Sequence, residues 1–298
     1  MSEVPETYQD GREYNTTQKN YPLPADRMEV DRLHAQHRAV TMLFGSLLPS
    51  QILTPLKAKQ HVRILDVGCG TGHWAIELAS VLPLAKITGI DLVSIHASTY
   101  PSNVDFLQQD ILQPFPQAWE GAFDLVHARF LITGIRDFPT LLTRLGNLLK
   151  PSGHLLIVEP EVTSESADKD VPLEMVCPDI VKLGKVTREA MLKFGIDIYA
   201  ALNIPRYLDQ SGSFGPVEAK RQLLPMSPWS DEPHLKQIGS TQLTNSLAMP
   251  DTVRRLVLAT SVITESEYDS LKAGFIQEMQ EAKGKVVLPI CSVWASRL

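Results

Sequence analysis

Residues 64–72 read Ile-Leu-Asp-Val-Gly-Cys-Gly-Thr-Gly. An apolar run (Val62, Ile64, Leu65, Val67) enters this glycine-rich turn, and an amphipathic stretch, His73 to Leu82, leaves it. That is the pattern of a buried strand, a tight loop and the start of a helix. Glycines suit such a loop because they accept positive φ and let a ligand approach the backbone. The spacing is Gly68-x-Gly70-x-Gly72, whereas a dinucleotide fingerprint sets its third glycine one residue later. Asp66 stands two residues before the first glycine. A carboxylate there repels a pyrophosphate and favours a ligand carrying positive charge. Cys69, between two of the glycines, reads as a small residue in a tight space rather than as a nucleophile.

Outward from this loop the pattern alternates. Strands are expected at Ile87 to Asp91, Val104 to Leu107, Phe123 to Val126 and Leu155 to Val158, the last after the turn Lys-Pro-Ser-Gly at 150–153. Helical periodicity separates them, notably over Phe138 to Leu149. Strands alternating with helices imply a largely parallel sheet with both faces covered. Upstream, Asp26 is a suitable N-cap for a helix reaching about Leu48, with an apolar stripe of Val30, Leu33, His37, Val40, Phe44 and Leu47. On that reading Glu29 and His34 lie on the solvated side. Downstream, Thr163 to Asp170 reads as a surface loop and Leu183 to Leu208 as one amphipathic helix. Val217 to Leu223 alternates as a strand. Thr264 with Glu267 forms a capping-box pattern before a helix to about Lys283, and Lys285 to Trp294 is a final strand. The chain is therefore expected to carry an N-terminal tail and helical lid over 1–55. A main domain follows over 56–298, with a substrate-covering insertion at about 160–215.

Composition narrows the class. The 298 residues carry a net charge of −6, with 44% hydrophobic and 21% charged residues. No Lys/Arg cluster offers the basic footprint of a nucleic-acid binder. No apolar run approaches the length of a membrane span, and the polar N-terminus has no signal-peptide core. The three cysteines fit neither a disulfide framework nor a metal spacing, so a cytoplasmic, metal-free protein is expected. The sequence leaves the oligomeric state open.

In an open α/β sheet, ligands bind outside the carboxyl ends of the strands. Asp66 and the glycines end the first strand. Asp91 ends the second, where a carboxylate can accept both hydroxyl protons of a ribose. Asp110 ends the third, where it can accept an adenine amino group, with Ile111 packing on the ring. His127, Ala128 and Arg129 end the fourth. A ligand with a ribose, an adenine and a cationic end fits S-adenosylmethionine. At this point the chain resembles the class I S-adenosylmethionine-dependent methyltransferases over roughly residues 60–160, through Ile64 to Gly72, Asp91, Gln109-Asp110-Ile111 and Phe123 to Arg129. Tyr21 to Glu29, Asp31 to His37 and Gly70 to Glu77 more narrowly resemble the fungal LaeA-like methyltransferases of secondary metabolism. The resemblance implies a Rossmann-like fold, a mostly parallel seven-stranded sheet with helices on both faces, an N-terminal helical cap and a helical insertion before the last two strands. It implies S-adenosylmethionine as cofactor, held by Asp66, Gly68, Cys69, Gly70, Gly72, Asp91, Leu92, Asp110, Ile111, Ala128, Arg129 and Tyr21. It also implies that Tyr14, Tyr21 and the first helix lie near the site.

Methyl transfer is an in-line displacement at a sulfonium, which alignment and desolvation can accelerate without a base. A base serves a hydroxyl or ammonium acceptor. His127, Glu159 and His37 are the candidates. The chain reads His-Ala-Arg-Phe after the fourth strand, where methyltransferases of nucleic-acid bases or glutamine side chains carry an Asn-Pro-Pro-Tyr type motif. A small apolar or aromatic metabolite is the expected partner, with Met175, Met191, Phe194, Tyr199 and Tyr207 supplying a pocket wall. A non-methylating enzyme of the same fold and a regulator acting through partners are the competing readings.

Overall fold

Val62–Val67 forms strand β3, buried at every position but Arg63, because branched residues on both faces suit a strand covered on both sides. The computed structural model describes residues 6–9, 12–15, 24, 26–93, 95 and 97–298. Before β3 come a hairpin, β1 (Glu6–Gln9) and β2 (Arg12–Asn15), then helices α1 (Arg27–Phe44) and α2 (Ser50–Lys57). After it come α3 (His73–Val81), β4 (Ala85–Asp91), β5 (Val104–Gln108), β6 (Phe123–Arg129), α4 (Phe138–Leu148) and β7 (Leu149–Pro160). The remainder is β8 (Glu165–Ser166), α5 (Leu173–Val176), α6 (Pro178–Lys193), α7 (Ala200–Ser211), β9 (Glu218–Pro225), α8 (Pro233–Leu258), α9 (Glu265–Glu281) and β10 (Val286–Ser296).

The main sheet runs β5-β4-β3-β6-β7-β10-β8, with β9 also pairing β10. The pairs β3/β4, β4/β5, β3/β6 and β6/β7 are parallel. The order reverses between β3 and β6, so the crevice that an α/β sheet offers a ligand opens at the carboxyl ends of these two strands. Seven strands match the expected set, and the two-residue β8 adds one from within the segment read as a loop, pairing Val286 and Val287.

The chain divides into two compact units that interleave along the sequence. Unit 1 takes 1–43, 160–198 and 222–290; unit 2 takes 44–159, 199–221 and 291–298. Unit 2 contains β3 to β6 and nearly all of β7. Unit 1 contains the hairpin, most of α1, and α5, α6, α8 and α9. No described helix is long and apolar enough to cross a membrane.

Several local expectations change. The first helix ends at Phe44, where Gly45 takes φ +71°, and α2 starts anew at Ser50. Asp26 accepts from the Glu29 N–H at 2.9 Å, as an N-cap should. Glu29 is not solvated but 3% exposed: Arg32 binds it through Nε (2.9 Å) and Nη2 (2.6 Å), and Arg32 Nη1 donates to Asn245 Oδ1 (2.7 Å). Arg12 reaches Asp26 through Nε (2.5 Å) and Nη2 (3.0 Å). The stripe misled because this ion cluster, not Val30 and Leu33, occupies the buried face at the start of α1.

The helix expected over 183–208 is two helices, α6 and α7, separated at Gly195 with φ +75°. The 26-residue α8 carried no expectation, since its polar residues and Pro250 hide its periodicity. The fifth strand extends back through the turn at 150–153, with a register shift opposite Phe123 and Leu125. The capping box of α9 is present, with Thr264 and Glu267 each bonding the other's backbone N–H.

Candidate active site

The glycine loop gives the site its shape. Gly68 and Gly72 sit at φ +67° and +76°. A Cβ at Gly68 would lie 2.3 Å from Leu131 Cδ2, and one at Gly72 2.3 Å from the Phe106 ring. Both positions therefore need glycine for conformation and for space. Four of the loop's N–H groups are spent internally. Those of Gly68 and Cys69 donate to Ile90 O (2.8 and 2.9 Å), and that of Gly72 donates to Cys69 O (2.9 Å). The Gly70 N–H donates to Asp91 Oδ2 (2.8 Å).

Asp91 closes β4. Its two oxygens accept from Gly70 N–H and Val93 N–H (3.1 Å), and burial raises its pKa against the pull of those bonds. Each oxygen keeps a second lone pair for a hydroxyl donor. Asp110 lies beyond β5, half-buried, and caps its turn by accepting from the Leu112 N–H at 2.8 Å. Ile111 and Leu92 are half-buried on the loops after β5 and β4. Burial, then Asp66 and Asp91, push the Cys69 thiol well up, so it remains protonated rather than a nucleophile.

Asp66 and His127 are register partners on β3 and β6, the two strands that flank the reversal. His127 Nδ1 lies 2.8 Å from Asp66 Oδ1. The imidazole is 1% exposed and stacks on Trp74 with ring centroids 3.7 Å apart and planes 11° off parallel. Trp74 is anchored by its Nε1–H to Leu47 O at 3.2 Å. Burial holds the His127 pKa below its ordinary value despite Asp66, and Arg129 adds to the effect. Ala128 is fully buried beside them; burial lowers the Arg129 guanidinium pKa, with Asp66 and Glu77 opposing.

Glu159 lies at the end of β7 with no exposed surface. Its oxygens accept from the N–H groups of Leu131 (2.7 Å) and Ile132 (3.2 Å). Burial drives its pKa up to about 8. It thereby holds the turn after β6, in which Phe130 adopts φ +56° and Leu131 covers Gly68.

The structure thus gathers Asp66, Gly68 to Gly72, Asp91, His127, Ala128 and Arg129 at one end of the sheet. Asp110, Ile111 and Leu92 stand on the loops that extend it. His37 is buried in α1, within unit 1. Tyr21 lies outside the described residues. Asp124, at the opposite end of β6, is 2% exposed. Among the expected pocket residues, Met191 is core (2% exposed), whereas Met175 and Tyr199 are exposed (79% and 59%). Leu131 and Phe106 escaped the sequence reading, because only the folded loop shows what abuts its glycines.

One buried atom tests the fit of a cationic cofactor. Asp66 Oδ2 is buried and has no hydrogen-bond partner among the described residues. A buried carboxylate oxygen left so is costly unless a ligand donates to it, and an ammonium group is such a donor.

The sequence profile of the family described as "Methyltransferase domain" matches residues 36–190. The chain belongs to this methyltransferase family. The methyltransferase is 30% identical to "Methyltransferase pytC" of Aspergillus terreus over 240 residues, 80% of this chain and 71% of that protein. It is 28% identical to "Secondary metabolism regulator laeA" of Coprinopsis cinerea over 270 residues, 88% of this chain and 66% of that one. Among solved structures it matches Haemonchus contortus phosphoethanolamine N-methyltransferase 2 at 19% identity and a TM-score of 0.49, over 95% of this chain and 61% of that one. The fold is the Rossmann-like methyltransferase fold, and S-adenosylmethionine is the cofactor.

Proposed function

We propose that this methyltransferase alkylates a small apolar or aromatic secondary metabolite at oxygen, nitrogen or carbon, without a base drawn from His127 or Glu159. The observation that carries this is the internal commitment of both groups. A general base must come within hydrogen-bond reach of the proton it removes. His127 is 1% exposed with Nδ1 turned to Asp66, and Glu159 has no exposed surface and holds two backbone N–H groups. The acceptor would then be nucleophilic already near neutral pH, as an enolate, an electron-rich carbon or a neutral amine is. When bound, S-adenosylmethionine supplies a methyl group activated by its sulfonium. The chain's own residues hold it, orient it and exclude water. Asp66 would take its cationic end, Asp91 the ribose hydroxyls, and Asp110 with Ile111 the adenine. Gly68 to Gly72, Leu92, Ala128 and Arg129 would line the remainder. The similarity to pytC and to laeA, whose name refers to secondary metabolism, supports the metabolite class.

The test incubates the purified protein with S-adenosylmethionine and fractionated candidate metabolites, following S-adenosylhomocysteine and the methylated product by mass spectrometry. Product formation supports the reading. Donor binding with no turnover across hydroxylated, aminated and enolisable acceptors counts against it. His37→Phe completes the assay. Retained turnover fits a base-free reaction, and a loss of about 100-fold or more at unchanged donor affinity would make His37 the base.

A further inference from the structure

Asp66, His127 and Trp74 form a chain of contacts that methyl transfer does not itself require. Asp66 and His127 face each other in register across the strand pair where the sheet order reverses. The His127 imidazole is fixed on two sides, by Asp66 Oδ1 at 2.8 Å and by the Trp74 ring at 3.7 Å. The indole is fixed in turn by Leu47 O. A carboxylate only accepts, so Nδ1 carries the proton of this bond. That choice of tautomer leaves Asp66 one satisfied oxygen and one, Oδ2, that is buried without a partner among the described residues. A free carboxylate would rotate to share its oxygens among the available donors, whereas this one is clamped in a single orientation.

We propose that His127 is a positioning residue for the methyl donor: clamped by Trp74, it holds the Asp66 carboxylate so that Oδ2 receives the donor's α-ammonium. The inference rests on the assignment of S-adenosylmethionine as cofactor and assigns His127 no proton-transfer step. It also accounts for Trp74 in the first turn of α3, where a smaller residue would leave the imidazole free to turn. Loss of a hydrogen bond to a charged group is expected to weaken affinity about tenfold or more.

The experiment measures binding of three probes by calorimetry. S-adenosylmethionine and S-adenosylhomocysteine both carry the ammonium, and 5′-methylthioadenosine lacks it. His127→Leu fills the space under Trp74 but cannot donate. His127→Asn places an amide N–H near the position of Nδ1. His127→Leu is expected to weaken both amino-acid-bearing probes at least tenfold and to leave methylthioadenosine within about twofold. His127→Asn should restore most of the loss, and turnover at saturating donor should stay within a few-fold in both variants. Asp66→Asn should show the same probe pattern, and adding His127→Leu to it should cost little more.

If the wild-type protein binds none of the probes, the cofactor assignment itself fails. If it binds them and His127→Leu binds all three as the wild type does, only the positioning role is overturned. A fall in turnover of about 100-fold or more in both His127 variants at unchanged affinity would make His127 a base and also overturn it. Should His127→Leu not fold, Asp66→Asn carries the decision: equal losses on all three probes would place Oδ2 away from the ammonium.

Discussion

A carboxyl group sealed among apolar strands resists ionisation, and Glu159 is such a group, with its pKa driven up to about 8. The protonated form is then favoured by folding relative to the unfolded chain, where a glutamate titrates near about 4.3. A raised folded value means that this contribution is complete below the unfolded pKa and is lost as pH rises through the folded one. Unfolding free energy measured in urea should therefore decline between about pH 4.5 and 8 in the wild type relative to Glu159→Gln. A difference that stays flat with pH would show that the two N–H donors keep the carboxylate charged. Asp91 is likewise raised by burial and likewise binds two backbone N–H groups, those of Gly70 and Val93, which ties the glycine loop to the end of β4. Asp91→Ala should weaken S-adenosylmethionine by at least about tenfold in calorimetry, and unchanged affinity would remove it from the ribose role. The positions of Asp66, Asp91 and Asp110 at strand ends were legible from spacing alone. That His127 and Glu159 turn inward was not, because a strand-end histidine or glutamate reads the same whether it faces a ligand or a neighbouring backbone.

At the scale of elements, amphipathic periodicity found α1 and its buried His37 and Val40 but misassigned the face of its first turns. Arg32, Glu29, Arg12 and Asp26 balance one another's charges, and a pattern that scores charged residues as solvated cannot detect such compensation. Breaking it should be expensive, since an ion left buried without its partner costs about 3–5 kcal/mol. Arg32→Ala should lower unfolding free energy by about that amount, and Arg32→Lys should recover only part, because an ammonium cannot make the two-pronged contact with Glu29. A denaturant midpoint unchanged in Arg32→Ala would mean that the cluster contributes nothing net. The β3–α3 loop is the contrasting case. Its glycines were read correctly because their constraint is local. Gly72→Ala should lose stability by roughly 1–3 kcal/mol from φ alone, with a further cost from displacing Phe106. Thermal unfolding measures the sum.

For the molecule as a whole, the alternation of strands and helices in a largely parallel sheet followed from the sequence because each βαβ step is local. The division into interleaved units did not, because it depends on contacts between distant segments. Asp124 illustrates such long-range ties. Its carboxylate gathers Lys59 (2.9 Å), the Arg63 N–H (3.0 Å) and Lys150 (2.6 Å), joining the segments that begin β3, β6 and β7. Burial would raise its pKa, but Lys150, the Arg63 N–H and Lys59 hold it below the ordinary value. A depressed carboxylate contributes stability above its unfolded pKa of about 3.9 and loses it as pH falls through the folded one. Asp124→Asn should thus destabilise the protein at pH 7 and change little near pH 2, as read from paired urea titrations. A penalty as large at pH 2 as at pH 7 would point to shape rather than charge.

The interleaving has a consequence for synthesis. Strands β3 to β7 leave the ribosome early, but the strand that covers the free edge of β7 is made only after the chain has passed through residues 160–285. At ordinary elongation rates that delay is on the order of ten seconds. During it, β7 presents an unpaired hydrogen-bonding edge of a kind prone to join other chains. The nascent protein is therefore most vulnerable to aggregation during this interval, before β10 emerges.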